Sequence, residues 1–367
     1  MSKNILVVGA TGVTGSAFVE HIRRLQQTSQ CSWNVTGVTR SVAVEDIADG
    51  GAGAHDNTDI ESDTASGSVS MITADLLADH SAIRQLQGIT HVVFAGFVPA
   101  ADFAQQVAPN RDILINCLRA LDSNPVERVV LIQGMKYYGS HLGPFKTPAR
   151  EDDPRHDGEN YYYAQQDVLE QSGVDWTCLR PHVICGTTSI GTPQNILSVV
   201  GVYASLMRAN GRPLTWPGTP ESFHSINQAT DASLLAKAIA WALDSAQAKN
   251  QAFNVTNGDF FRWQNLWPKV AERFHMSAGG VETQSLAETM LELSAQWQLL
   301  VEQGSLKPYS MESIVNWPFA DYILRTGWDV MSSTIKIRQA GFSDCLDTEQ
   351  MYINHLAKLQ ELNVLPY

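Results

Sequence analysis

Two short stretches of the chain carry side chains suited to acid–base and electrostatic chemistry. Glu159–Leu169 reads ENYYYAQQDVL, with three tyrosines in a row and Asp167 four residues after the last of them, Tyr163. Gln133–His141 reads QGMKYYGSH and carries Lys136. A phenol donates a hydrogen bond to an oxygen on which negative charge develops. A nearby ammonium favours the charged forms around it, lowering the phenol's pKa and attracting that charge. An ammonium is a compact point charge on a flexible stem, so it acts from more than one backbone position. A tyrosine of the first stretch and Lys136 of the second are therefore a candidate catalytic pair. The blander alternative is a surface-loop lysine, a helix-surface Asp167 and no catalysis.

A second constellation sits at the start. VVGATGVTG places Gly9, Gly12 and Gly15 as GxxGxxG, with Thr11 and Val13 in the same turn. Gly9 permits the tight turn, Gly12 lets the backbone approach a pyrophosphate at a helix N-terminus, and Gly15 permits close packing of helix on strand. This is a dinucleotide site. An NAD site usually ends its second strand with an acid that binds the ribose 2′-hydroxyl. Here GVTRS places Arg40 and Ser41 at that point. An arginine there holds a 2′-phosphate through charge-assisted hydrogen bonds, so the expected cofactor is NADPH. By position, Asp75 and Leu76 after the third strand face the adenine, and Phe94, Ala95 and Gly96 line the phosphate–ribose path. Pro181, His182 and Val183 lie where the nicotinamide carboxamide would sit; the alternative for His182 is a loop histidine touching cofactor only through its backbone.

The elements that must position these residues follow an alternating rhythm. NILVV, SWNVTGVTRS, VSMITADL, HVVFAGFV, VERVVLIQG and VDWTCLRPHVICG read as six strands, with helices after the first, over Asn110–Asp122 and from YYYAQQDVLEQSG; QAFNVTNGDF reads as a strand returning to the sheet. Strand–helix alternation implies an α/β fold, a Rossmann-type doubly wound parallel sheet, and near-continuous apolar strands agree with burial on both faces. The expected division is a nucleotide-binding domain over 1–185, to which 226–262 returns, and a helix-rich, aromatic C-terminal substrate cap over 186–225 and 263–367. Residues 45–70 are small, polar and acidic and read as a surface insertion. Phe97, Tyr161, Tyr203, Met207, Trp216, Phe223 and Phe342 are candidate walls of an apolar substrate pocket; core packing is at least as good a reading of any one of them.

Composition excludes several classes. The 367 residues carry a formal charge of −13, which argues against a nucleic-acid partner or an anionic membrane surface. No apolar run approaches the ~20 residues of a membrane span. The opening residues lack the apolar stretch and cleavage site of a signal peptide, so the expected location is cytoplasmic. The five cysteines form no CxxC pair and no zinc-ligand spacing; they read as reduced core residues, and no metal is expected.

The residues beyond these motifs carry a resemblance. The loop after the fifth strand usually reads S-S-x-x-V-Y-G in extended short-chain dehydrogenases, and their tyrosine is followed four residues on by lysine. Here the serine position holds Gly134 and the lysine position Asp167, while Lys136 appears on the loop. QGMKYYG with NYYYxxxD, then LRPHVICG, NILSVVGVYASLMRANGRPLTWPGT, TDASLLAKAIAWA, QAFNVTNGDFFRWQNLW and GFSDCLDT, resemble the progesterone 5β-reductase/iridoid synthase-like group of atypical short-chain dehydrogenases. The resemblance covers nearly the whole chain. It implies an extended short-chain dehydrogenase fold and NADPH-dependent reduction of the C=C bond of activated enones and enals. It also implies a small apolar carbonyl-conjugated substrate, a catalytic lysine and tyrosine at Lys136 and Tyr163, and a homodimer. A carbonyl reductase or epimerase on the same fold and a catalytically silent NADP-binding regulator are the alternatives. The chain departs from the family in keeping one arginine after the second strand, in carrying Phe97 where tryptophan is frequent, and in the length of the insertion.

Overall fold

The computed structural model describes residues 3–40, 67–187 and 194–367. Ser41 and most of the 45–70 stretch lie outside the described residues. The chain divides into two compact units, Met1–Ile132 with Gly158–Cys178 and Ala242–Gln251, and Gln133–Asp157 with Leu179–Trp241 and Ala252–Tyr367.

The first unit is built on strands β1 (Asn4–Val8), β2 (Asn34–Thr39), β3 (Val69–Thr73), β4 (His91–Phe94) and β5 (Arg128–Ile132). Strand β6 (Asp175–Pro181) begins in this unit and ends in the second. Helices α1 (Val13–Gln27), α2 (Ser81–Arg84), α3 (Val107–Ala120) and α4 (Tyr161–Ser172) alternate with them. The neighbouring pairs β3–β2, β2–β1, β1–β4 and β4–β5 are parallel. Ile5, Leu6, Val92, Val93, Val129 and Val130 are fully buried, as strands covered on both faces require. Helix α1 buries Thr14, Gly15, Ala17, Phe18, Val19 and Ile22 as one stripe, a spacing set by 3.6 residues per turn.

The second unit adds strand β7 (Ile184–Cys185), helix α5 (Ile196–Ala209), β8 (Leu214–Trp216), α6 (Pro220–His224), β9 (Thr230–Asp231), α7 (Ala232–Asp244), β10 (Gln251–Val255) and α8 (Trp263–Arg273), followed by short helices as far as a last one at Thr348–Glu361. Helix α7 and strand β10 cross the boundary between the units. Strand β10 completes a seven-stranded sheet in the order β10-β6-β5-β4-β1-β2-β3, so QAFNV returns to the sheet as expected. The helix-rich reading of the C-terminal part holds. Two small parallel pairs, β7 with β9 and β8 with Ala278–Val281, interrupt it. The core of this unit is aromatic: Trp216 packs its ring 5.2 Å from Trp263 and 5.0 Å from Trp267.

Among the five cysteines, Cys117, Cys178 and Cys185 are buried, whereas Cys31 is half-buried and Cys345 exposed. The core reading fails for these last two, which stand in polar surroundings, SQCSW and SDCLD. No helix among the described residues is long and apolar enough to cross a membrane. Among the same residues no group of three or more His, Cys, Asp or Glu side chains is placed to hold a metal ion.

Candidate active site

The turn after β1 is fixed by what its glycines lack. Gly9 has φ +81°, a conformation side chains rarely adopt, and a Cβ there would lie 2.7 Å from the Ala95 carbonyl oxygen. A Cβ at Gly15 would lie 2.2 Å from the Gly9 carbonyl oxygen, so only glycine lets α1 approach β1 this closely. Gly12 is the N-cap of α1, makes no side-chain cap hydrogen bond, and no acidic residue follows in the first turn. The helix thus begins with amide N–H groups and no local negative charge, the arrangement a pyrophosphate needs. Thr11 is exposed beside it, and Val13 is half-buried as the first helical residue.

Around this turn the first unit arranges the other predicted nucleotide residues. Arg40, just past β2, is exposed. Asp75 is exposed but occupied locally: its carboxylate accepts the Leu77 N–H at 2.8 Å. Leu76 is buried, and its carbonyl accepts from the Asn116 amide at 2.7 Å. Phe94 is fully buried at the end of β4, and the backbone of Ala95 and Gly96 is what crowds Gly9. Pro181, His182 and Val183 belong to the second unit. There the Thr230 hydroxyl accepts the His182 N–H at 3.0 Å and donates to the His182 carbonyl at 2.8 Å. Val183 has φ +33°, a strained value for a β-branched residue, and its carbonyl accepts the Thr230 N–H. Burial pushes the His182 imidazole down to about 4, so it is neutral at physiological pH.

Tyr163 stands in the first unit. Asn160 caps α4, its side chain accepting the Tyr162 N–H at 3.0 Å, and the Asn160 carbonyl accepts the Tyr163 N–H at 3.0 Å. The cap fixes where the helix starts and so puts Tyr163, which is buried, in its first turn. The helix is anchored from behind, because the Gln165 amide donates to the Asn110 carbonyl at 2.8 Å on α3. Tyr161 meets three rings: Phe97 at 5.7 Å, Phe103 at 5.4 Å and Tyr162 at 4.2 Å. Two of the expected pocket residues, Phe97 and Tyr161, are thereby brought together, and Phe97 is 38% exposed. Burial raises the phenols of Tyr161, well above its usual range, and Tyr162, to about 12.

Lys136 stands in the second unit, on a one-turn 3-10 segment, Met135–Tyr138. Tyr137 N–H bonds the Gly134 carbonyl at 3.0 Å and Gly139 N–H bonds the Lys136 carbonyl at 3.2 Å. The segment closes on Gly139 at φ +77°. The Lys136 ammonium lies 5.2 Å from the centroid of the Tyr322 ring, a cation–π distance. Lys136 is half-buried, and burial lowers its pKa from the ordinary lysine value. Behind the segment Arg180 is 1% exposed. Its Nε donates to Gln133 Oε1 at 2.9 Å, its Nη1 donates to the Tyr138 hydroxyl at 2.8 Å, and its guanidinium carbon lies 3.3 Å from the Tyr137 ring centroid. The Tyr138 hydroxyl in turn donates to Asn254 Oδ1 at 2.7 Å.

The remaining expected pocket residues are all in the second unit. Tyr203, Met207 and Trp216 are core side chains, with the Tyr203 hydroxyl donating to the Thr215 carbonyl at 3.1 Å. Phe223 is half-buried 5.4 Å from the Trp216 ring, and Phe342 packs 5.9 Å from Trp241. Arg180 and Tyr322 were not singled out in the sequence. A charged residue inside the apolar strand run WTCLRPHV was the available signal for Arg180.

Comparison with known proteins assigns the class. Residues 5–353 match the model of the PRISE-like Rossmann-fold domain, and the chain belongs to that family, as its sequence motifs implied. Its particular relatives are enzymes of several kinds. It is 29% identical to the (S)-8-oxocitronellyl enol synthase of Nepeta cataria, over 98% of this chain and 92% of the relative. It is also 29% identical to the 3-oxo-Delta(4,5)-steroid 5-beta-reductase of Arabidopsis thaliana, with the same coverage. A short chain dehydrogenase of Penicillium aethiopicum is 27% identical over 100% of both chains. Among solved structures, the dTDP-glucose 4,6-dehydratase DesIV of Streptomyces venezuelae superposes with a TM-score of 0.66 at 13% identity, covering 98% of this chain and 97% of its own. The Bordetella bronchiseptica enzyme WbmH in complex with NAD+ does so at 0.63 and 18%, covering 99% and 100%. At these identities the likeness is one of fold.

Proposed function

We propose that this protein is an NADPH-dependent reductase of C=C bonds conjugated to a carbonyl, acting on small apolar enones or enals. A relative supports the reading: the Arabidopsis thaliana protein, 29% identical, is named for reduction of a 3-oxo-Delta(4,5)-steroid, a C=C bond beside a carbonyl. The observation that carries it is the lysine. Lys136 stands half-buried on a closed backbone turn beside an aromatic face, with its pKa lowered by burial, while Tyr163 is held in the first turn of a capped helix.

The cradle of Gly9, Gly12 and Gly15 would hold a dinucleotide pyrophosphate, and Arg40, exposed just past β2, would hold a 2′-phosphate. When bound, the reduced nicotinamide supplies a hydride. In the proposed reaction the substrate's β-carbon accepts it and an enolate is left, so negative charge develops on the carbonyl oxygen. Tyr163 donates a hydrogen bond to that oxygen. In this reading Lys136 supplies the positive charge that favours the developing anion and the polarised phenol. A proton from water completes reduction at the α-carbon. Gly134, where a carbonyl reductase has its serine, costs less here because the oxygen need not be fully protonated during hydride transfer. A cation that is partly desolvated stabilises developing charge more strongly than one in water.

The test incubates the protein with NADPH and a panel of enals, cyclic enones, saturated ketones and aldehydes, and identifies products by mass and NMR. Saturation of conjugated C=C bonds is the expected result. Turnover of saturated ketones with conjugated bonds untouched would overturn the reading. Binding of NADPH without oxidation across the panel would replace it with a silent NADP-binding regulator.

A further inference from the structure

We propose that Arg180 is a positioning residue for Lys136, holding the turn that carries it through contacts on both sides of the lysine. The inference rests on the role proposed for Lys136 above. Three residues of the QGMKYY stretch touch one guanidinium: Gln133 before the lysine, and Tyr137 and Tyr138 directly after it. The contacts use different properties of the group. Its carbon lies 3.3 Å from the centre of the Tyr137 ring, while its N–H groups donate to Gln133 Oε1 and the Tyr138 hydroxyl. Tyr138 is fixed a second time by donating to Asn254 Oδ1. The Glu151 carbonyl accepts a longer bond from Arg180 at 3.4 Å, and the Glu151 carboxylate accepts the Asn254 N–H at 2.8 Å, so the network closes on itself.

This is a rigid arrangement for a physical reason. A guanidinium with 1% exposure cannot return to water, and each of its donors needs its partner. A swing of residues 135–138 that moved the Lys136 backbone would break the Tyr137 cation–π contact or the Tyr138 bond. The segment's own backbone is a short 3-10 turn, with Tyr137 N–H on the Gly134 carbonyl and Gly139 N–H on the Lys136 carbonyl. The flexible lysine side chain is thus mounted on a backbone clamped by Arg180, and Tyr322 lies against its far end.

Lysine cannot replace this arginine, because an ammonium has neither the plane nor the fork of donors. Arg180→Lys, Lys136→Met and the double variant are compared with the wild type in single-turnover NADPH oxidation with a cyclic enone. Circular dichroism, NADPH affinity and peptide-resolved reductive methylation of Lys136 against the exposed Lys237 accompany the kinetics. The expected result is a folded Arg180→Lys protein with NADPH affinity within ~2-fold of wild type and a rate down ~10-fold or more, the same change costing less than ~2-fold in the Lys136→Met background. Methylation of Lys136 relative to Lys237 should rise several-fold in Arg180→Lys as the turn loosens. An unchanged rate in Arg180→Lys, additive losses in the double variant, or an unchanged methylation ratio overturns the proposal. Should Arg180→Lys not fold, Tyr137→Leu, which removes the ring beneath the guanidinium, is read by the same outcomes. A Lys136→Met protein as fast as wild type strikes the proposed reaction instead, and the methylation ratio alone then decides what Arg180 holds.

Discussion

Two turns that follow parallel strands are built in opposite ways. The turn after β1 is made of backbone, and its shape depends on side chains being absent: a single methyl at Gly15 would run into the Gly9 carbonyl. The turn after β5 is made of side chains, with Gln133, Tyr137 and Tyr138 gathered on a buried Arg180. The first presents amide N–H groups and suits any dinucleotide. The second presents one partly desolvated ammonium whose place depends on a network. A turn that binds a common cofactor needs only a local rule, whereas the turn proposed to direct charge in one reaction draws its partners from distant parts of the chain.

The comparison can be broken at four points. The largest effect is expected from Gly15→Val, which has nowhere to put its side chain. It should abolish measurable NADPH binding in a fluorescence titration and lower Tm by roughly 5 °C. Next is Tyr163→Phe, which keeps the ring and removes the donor. Its rate of enone reduction should fall ~100–1,000-fold with NADPH affinity little changed, as for loss of one oxyanion donor. Third is Arg40→Ala, which should weaken NADPH ~10–100-fold and leave NADH unaffected in parallel titrations. Equal losses for both cofactors would refute a 2′-phosphate role.

The smallest effect concerns stability. Burial, reinforced by Lys3 and Arg128, pushes the His91 imidazole from its usual 6.5 down to about 4. Burial also brings His141 and His182 to about 4. The unfolded chain takes up these protons as pH falls through 6.5, while the folded chain does not until about 4. The stability involved is therefore full above 6.5 and is lost progressively between 6.5 and 4. Calorimetry at a series of pH values should show Tm falling across that window, and His91→Gln should make the fall shallower.

What could be read from the residues follows the same division. Strand β1, the glycine turn and α1 are continuous in sequence, so their geometry is written in one window of residues. The return of QAFNV to the sheet was visible because an apolar strand run stands out among helical segments. Helix α3 begins at Val107 rather than Asn110, because its start has no side-chain cap to mark it. Strands β7 and β9 have two residues each, too few to show a period. The clamp on Lys136 was not visible, since Gln133 and Tyr138 lie 47 and 42 residues before Arg180 and nothing local links them. Aromatic residues were equally mute. Trp216 and Phe97 look alike as pocket candidates, yet one is fully buried among other indoles and the other is 38% exposed.

The central claim is that Lys136 and Tyr163 serve one event, stabilisation of charge on the substrate oxygen. The most direct test is the single-turnover rate of NADPH oxidation with a cyclic enone in wild type, Lys136→Met, Tyr163→Phe and the double variant, all at saturating NADPH. Two groups acting on one charge should give large single losses and a double variant no slower than the worse single one by more than ~3-fold. Losses that multiply in full, or a Lys136→Met protein with the wild-type rate, would contradict the account.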